Sequence, residues 1–214
     1  SMTTRRVFAV VNTASLIAMA NGLRNSASLE RRALPPPRDR TPAGGGMSAV
    51  YLVRHGQASF GAADYDVLSE RGQQQAQVLG QALARAQAGF AVVASGDLQR
   101  HRQTAQACLE AMGLAPAWRS DAGWNEFDHV RVITALRPDF ADPERARAEM
   151  MAQPDPQRAF QAMFEQAVAR WVGGAHDADY SESWAGFRSR CMQALAAVFD
   201  GLPHGSDALV FTSG

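Results

Sequence analysis

Short apolar runs alternate with amphipathic segments over most of the chain beyond residue 47. Residues 49–53, 90–94 and 208–212 are apolar runs bounded by polar or small residues, a pattern typical of buried strands. Ala76, Leu79, Gly80 and Leu83 recur at helical spacing after Ser69, which can serve as an N-cap. Similar periodicity predicts three more helices, over residues 98–112, 159–172 and 187–199.

Strands that alternate with helices predict an α/β fold, a three-layer α/β/α sandwich with a mostly parallel sheet. Ligands of such sheets bind beyond the carboxyl ends of the strands. Each of the three predicted strands is followed by small or polar residues, which are Arg54-His55-Gly56, Ser95-Gly96 and Ser213-Gly214. We therefore expect a ligand site at this edge of the sheet.

Residues 1–46 differ in character from the rest of the chain and predict a leader and linker that is disordered or non-native. Prolines 35–37 and glycines 44–46 flank arginines, a composition too poor in apolar residues to pack. Three interpretations stay open, in this order: upstream translation before a native start at Met47, a signal peptide with Ala18-Met19-Ala20 as its cleavage site, and an interaction helix. The domain is expected over residues 47–214, with a helical insertion around 127–180. A cytoplasmic location is expected on the first interpretation and export on the second.

Charge and composition narrow the possible functions. All 21 basic residues are arginines, and the formal net charge is zero. Residues 1–46 carry seven arginines against two acids, a charge of +5, which leaves −5 for residues 47–214. A negatively charged domain is a poor nucleic-acid binder, and no segment approaches the roughly 20 apolar residues of a membrane span. Neither nucleic acid nor a membrane is expected as a partner, and no cluster of ligand-type residues implies a metal or another cofactor.

The chemistry of residues 54–56 points to phosphate. The arginine fork of Arg54 matches phosphate oxygens, and a neutral histidine such as His55 has a ring nitrogen that can attack phosphorus. Gly56 lets the backbone approach a ligand closely. The tripeptide alone is a weak signal, but its position at a strand end strengthens it.

Five segments in order resemble the histidine phosphatase superfamily, which contains phosphoglycerate mutases and broad acid phosphatases. The resemblance covers residues 49–214 and implies a phosphoglycerate mutase-like fold. The similar segments are Leu52-Val53-Arg54-His55-Gly56-Gln57, Leu68-Ser69-Glu70-Arg71-Gly72, Ser95-Gly96-Asp97-Leu98-Gln99-Arg100 with Gln103-Thr104-Ala105, Trp124-Asn125-Glu126-Phe127, and Ser181-Glu182-Ser183.

The resemblance implies a role for each of six residues. His55 is the residue expected to become phosphorylated, and Glu126 is expected to protonate the leaving oxygen, for which partial burial is expected. Arg54, Gly56 and Arg100 are expected to bind phosphate. Ser213 is also expected at the phosphate, in the place where the family has a second histidine.

The substitution at Ser213 is a departure from the family pattern. Serine can donate one hydrogen bond but carries no charge, so the loss is expected to cost roughly 2.7–4 kcal/mol of transition-state stabilisation, or about 10²–10³ in rate. The chain also ends where the family continues with another helix and strand. A truncated or shortened form is expected to have marginal stability or to form a homodimer through the exposed edge.

Two functions from different classes compete. The first is a phosphomonoester hydrolase whose substrate is a phosphorylated small molecule or a phosphoprotein and whose product is inorganic phosphate. The second is a catalytically degenerate phosphoryl-binding or interaction protein, motivated by Ser213. A phosphoglycerate mutase proper is disfavoured by the missing histidine and the short chain. The remaining histidines, at 101, 129, 176 and 204, are expected to be structural or surface residues.

Overall fold

The computed structural model describes residues 7–11, 48–59 and 66–213, and only the backbone of residues 7–11. These residues divide into two compact units. The first comprises residues 1–125 and 194–214, and the second comprises residues 126–193.

The first unit contains one sheet of five strands, in which every pair of neighbours is parallel. The strand order is β1-β2-β5-β3-β4. The strands are β1 (Val7–Val11), β2 (Ala49–Arg54), β3 (Val92–Ser95), β4 (Arg119–Ser120) and β5 (Ala208–Thr212). This confirms the predicted α/β class with its mostly parallel sheet.

Six α-helices follow the same chain order. They are α1 (Glu70–Arg85), α2 (Gln99–Ala111), α3 (His129–Leu136), α4 (Pro143–Met151), α5 (Pro156–Val172) and α6 (Trp184–Asp200). Helix α6 begins in the second unit and ends in the first.

Helices cover both faces of the sheet in the first unit, which confirms the three-layer arrangement. On one face, Leu79 of α1 and Cys108 of α2 pack with Tyr51 and Phe211 of the sheet. The other face packs against the end of α6, and this cluster contains Val50, Ala94, Val210, Ala194, Val198 and Phe199. The alternation of neighbours such as Val50 and Tyr51 between the two faces is the period of two that a strand imposes.

Local sequence signals explain where the elements begin and end. The Ser69 hydroxyl accepts a hydrogen bond from the Gly72 N–H at 3.1 Å and caps α1, as predicted. Strand β5 has the predicted bounds. Helices α2, α5 and α6 lie within about a turn of their predicted bounds, a normal uncertainty for helix ends.

The second unit is helical and has an aromatic core. Trp171 is 1% exposed and lies between the rings of Phe127, Trp184 and Phe187, with centroid distances of 4.8, 5.2 and 5.6 Å. Its Nε1–H donates to the Glu182 carbonyl at 2.8 Å. On α5, Phe160 belonged to the predicted apolar face but is 46% exposed, whereas Met163, Ala167 and Trp171 are buried.

Some elements were not predicted. Strand β1 lies within the segment expected to be a leader, and it pairs with β2 along its whole length. The rest of residues 1–46, including the 18–20 segment, lies outside the described residues, as does Met47, so the interpretations of the leader stay predictions. Helices α3 and α4 and the short strand β4 carry too few periodic positions to stand out. None of the helices described is long and apolar enough to cross a membrane.

Candidate active site

The carboxyl ends of β2, β5 and β3 meet at one edge of the sheet. The His55 N–H donates to the Thr212 carbonyl at 2.9 Å, and the Gly96 N–H donates to the Phe211 carbonyl at 3.0 Å. Ser213 follows directly after β5. The three strand-end segments that the sequence singled out are therefore neighbours, as expected for a parallel sheet.

The His55 ring is held by its own backbone. Nδ1 lies 2.7 Å from the carbonyl oxygen of Gly56. A carbonyl can only accept, so Nδ1 must carry the proton and donate it. In the neutral ring this leaves the lone pair on Nε2, which is the state a nucleophilic histidine needs.

Gly56 makes room for the start of α1. A Cβ at this position would lie 2.3 Å from the carbonyl oxygen of Gly72, a backbone atom that cannot move aside. The Gly56 N–H donates to Oγ1 of Thr104 at 3.1 Å, and that hydroxyl donates to the Arg100 carbonyl at 2.6 Å. The structure thus gives Gly56 a packing role next to His55, and its predicted contact with phosphate stays a prediction.

The two predicted phosphate arginines differ in environment. Arg54 is exposed at the end of β2. Arg100 lies in the first turn of α2, is 6% exposed, and donates from Nη1 to Oδ1 of Asp66 at 2.7 Å. The other oxygen of Asp66 accepts from the Gln99 N–H at 2.8 Å. A carboxylate therefore occupies the anion position that the N-terminus of α2 and Arg100 offer together.

His101 is a site residue that the sequence analysis missed. It is completely buried, and its ring centroid lies 5.7 Å from that of His55. Its Nε2 is 2.9 Å from Oγ of Ser213. Burial, followed by the charges of His55 and Arg100, lowers the pKa of His101 to about 3, so the ring is neutral near pH 7.

A usable signal for His101 was present in the sequence. Residues 101, 105 and 108 have the spacing of one helix face, and Ala105 and Cys108 are core residues. The same periodicity that predicted α2 thus predicts a buried side chain at 101. The expectation that His101 is structural or superficial did not use this spacing. The other three histidines outside the motif, at 129, 176 and 204, are exposed.

Glu126, the predicted acid, is the first residue of the second unit. It is half-buried, in line with the expected partial burial, and follows a single turn of 3₁₀ helix at Ala122–Trp124. That turn is tied to the sheet because the Thr212 hydroxyl donates to the Trp124 carbonyl at 2.7 Å. The Asn125 side chain also faces the site, and its Oδ1 accepts from the Asp97 N–H at 2.7 Å.

Comparison with known sequences decides the family. The sequence profile of the histidine phosphatase superfamily (branch 1) matches residues 50–214, most of the chain. The chain belongs to the histidine phosphatase superfamily. The resemblance read from five segments is thereby confirmed, and a phosphatase-type function is supported.

Among solved structures, this histidine phosphatase is similar to two named enzymes. One is a mycobacterial glucosyl-3-phosphoglycerate phosphatase, 21% identical over 76% of this chain and 72% of that one, with a TM-score of 0.48. The other is a phosphoglycerate mutase from Bacillus anthracis, 19% identical over 77% of this chain and 74% of that one, also with a TM-score of 0.48. No curated protein matches the sequence.

Proposed function

We propose that the protein is a phosphomonoester hydrolase that works through a phosphohistidine on Nε2 of His55. The observation that carries the proposal is the 2.7 Å contact between His55 Nδ1 and the Gly56 carbonyl. It fixes the tautomer with the lone pair on Nε2, and the backbone bond from His55 to Thr212 holds the residue at the end of β2. Membership in the histidine phosphatase superfamily is consistent with this role.

In the first step, Nε2 of His55 attacks phosphorus while the bond from phosphorus to the leaving oxygen breaks. Arg54 and Arg100 neutralise charge on the non-bridging oxygens, where it spreads in the transition state. Glu126 gives its proton to the leaving oxygen. In the second step, water attacks the phosphohistidine, Glu126 takes a proton from it, and inorganic phosphate leaves His55 as it began.

Arg100 must exchange one partner for another in this scheme. Its Nη1 holds Asp66, so a phosphate that binds Nη1 has to displace that carboxylate. Phosphate carries up to two negative charges against one for Asp66, which favours the exchange. Asp66 would then move away, since two anions at one site repel each other.

A turnover assay on p-nitrophenyl phosphate tests the proposal. Wild type is expected to hydrolyse the ester, and His55→Ala is expected to lose roughly 10³-fold or more of kcat, the scale of losing a covalent nucleophile. His204→Ala is the matched control because His204 is exposed and lies outside the site. Equal activity of wild type and His55→Ala would refute the proposed nucleophile.

The Asp66 contact with Arg100, together with Ser213, favours a second candidate function, a phosphoryl-binding protein without turnover. A carboxylate that stays on Arg100 would leave the site able to bind weakly but not to react. In that case wild type and His55→Ala are equally inactive, both bind inorganic phosphate, and Ser213→His gains activity. Turnover by wild type that depends on His55 excludes this candidate.

A further inference from the structure

His101 has no task in the two steps above, yet it is buried beside the proposed nucleophile. An ionisable ring that is completely buried loses its hydration, so its position needs a compensating role or a partner. The partner it has is Ser213, at 2.9 Å from its Nε2. This pair joins α2 to the end of β5 directly beside His55.

The other nitrogen of the ring shows which tautomer His101 adopts. Nδ1 is buried and has no hydrogen-bond partner among the described residues. A Cβ built on Gly96 would lie 2.2 Å from Nδ1, so a Cα–H bond of Gly96 points at this nitrogen. A proton on Nδ1 would meet that hydrogen head-on, whereas a lone pair accepts a weak C–H···N contact. The proton therefore resides on Nε2.

An Nε2–H group must donate to Ser213, and this determines where the serine proton can go. With its oxygen accepting from His101, the single O–H of Ser213 is left to donate to another group. Ser213 is half-exposed and follows Thr212, whose carbonyl holds the His55 backbone. A phosphoryl group on His55 would lie near this hydroxyl.

We propose that His101 is a positioning residue whose Nε2–H holds Oγ of Ser213, so that the serine O–H donates to the phosphoryl group at His55. The inference rests on the proposed function. The low pKa of His101 agrees with it, since a ring that stays neutral near pH 7 keeps one tautomer and one hydrogen-bond direction. Gly96 belongs to the same arrangement because any larger residue there would displace the ring.

A double-mutant cycle on p-nitrophenyl phosphate turnover by the full chain tests this role. His101→Leu and Ser213→Ala are each expected to lower kcat by about 10- to 100-fold with little change in KM, the range known for groups that orient a contacting residue. The double variant is expected to be no slower than Ser213→Ala alone. His101→Gln, whose side-chain amide can donate from a similar position, is expected to recover most of the loss. Losses that multiply in the double variant would overturn the inference.

A second measurement does not depend on turnover or on the folding of a variant. Nitrogen-15 NMR of the wild-type histidine rings near pH 7 is expected to show His101 protonated on Nε2 and bare on Nδ1. Protonation on Nδ1 would overturn the inference. If wild type neither turns over p-nitrophenyl phosphate nor is phosphorylated, the proposed function fails, and binding of inorganic phosphate then decides the inference. Weaker binding by both Ser213→Ala and His101→Leu supports it, and unchanged binding by either contradicts it.

Discussion

The two units of this protein bury different kinds of side chain. In the first unit, Arg100, His101 and Thr104 are buried near the ends of the strands, although each is costly to remove from water. Among the described residues of the second unit, no buried side chain is polar or charged, and the core is a cluster of aromatic rings around Trp171. Buried ionisable groups mark functional sites more often than packing cores.

The charged groups of the second unit lie nearer the solvent and pair with one another. Arg190 binds both carboxylate oxygens of Glu182 at 2.8 Å, and these hydrogen bonds lower the pKa of that carboxyl. Arg137 similarly joins Asp139 and Glu149. Such pairs organise the surface of a helical unit, so the comparison assigns the chemistry to the first unit. The expectation that the insertion selects the leaving group stays a prediction.

The largest expected effect on this comparison comes from Trp171→Ala. Removing a buried tryptophan is expected to cost about 3–5 kcal/mol, since the aromatic cluster loses its central ring. Urea unfolding measures the loss, and hydrogen exchange is expected to rise in residues 126–193 more than in α1 and α2. Phe160→Ala on the same helix is the control, with a small effect because Phe160 is 46% exposed. Exchange that rises equally in both units would contradict the division into two cores.

Arg100→Ala comes next, and it tests whether the buried polar groups of the first unit serve chemistry. The variant is expected to lose about 10²–10³ of kcat, equivalent to roughly 2.7–4 kcal/mol, because a fixed donor to the phosphoryl oxygens is gone. Arg102→Ala is the matched control, since this neighbour on α2 has a side chain 51% exposed. Steady-state kinetics and circular dichroism separate activity from folding. Equal losses in both variants would remove Arg100 from the site.

The sequence predicted most of the first unit because its signals are local. Residues 208–212 form an apolar run between Asp207 and Ser213, and no helix of usual length fits there. The motif around His55 combines residue types with a strand end, so both the fold and the nucleophile followed from neighbours in the chain. Ser69 was equally readable as a cap.

What the sequence could not predict depends on contacts between distant segments. The approach of His101 to Ser213 joins residues far apart in the chain and required the register of β5 beside β3. The Asp66 contact with Arg100 likewise depends on how the chain before α1 passes α2. Helices α3 and α4 are too short for a clear periodicity, and the two-residue strand β4 gives none.

The smallest expected effect concerns stability against pH. His101 has an ordinary pKa of 6.5 when unfolded and about 3 when folded. Below pH 6.5 the unfolded chain binds a proton that the folded chain does not, so stability falls as the pH falls from 6.5 towards 3, by up to about 1.4 kcal/mol per pH unit. Urea unfolding of wild type and His101→Leu at pH 7 and pH 5 measures the difference.

His101→Leu is expected to lose less stability than wild type over this range, while His204→Ala behaves like wild type. Identical pH dependence in wild type and His101→Leu would show that His101 takes up its proton in the folded protein as readily as in the unfolded chain. The contrast between a first unit with buried ionisable groups and a second unit without them would then lose its clearest example.

Detection of the phosphoenzyme tests the central claim most directly. Wild type is mixed with a small phosphodonor, quenched under alkaline conditions that preserve phosphohistidine, digested, and examined by mass spectrometry. The account predicts a phosphoryl group on His55 of wild type and none on any histidine of His55→Ala. A phosphoryl group on another residue, or turnover of the donor with no phosphorylation of His55, would contradict it.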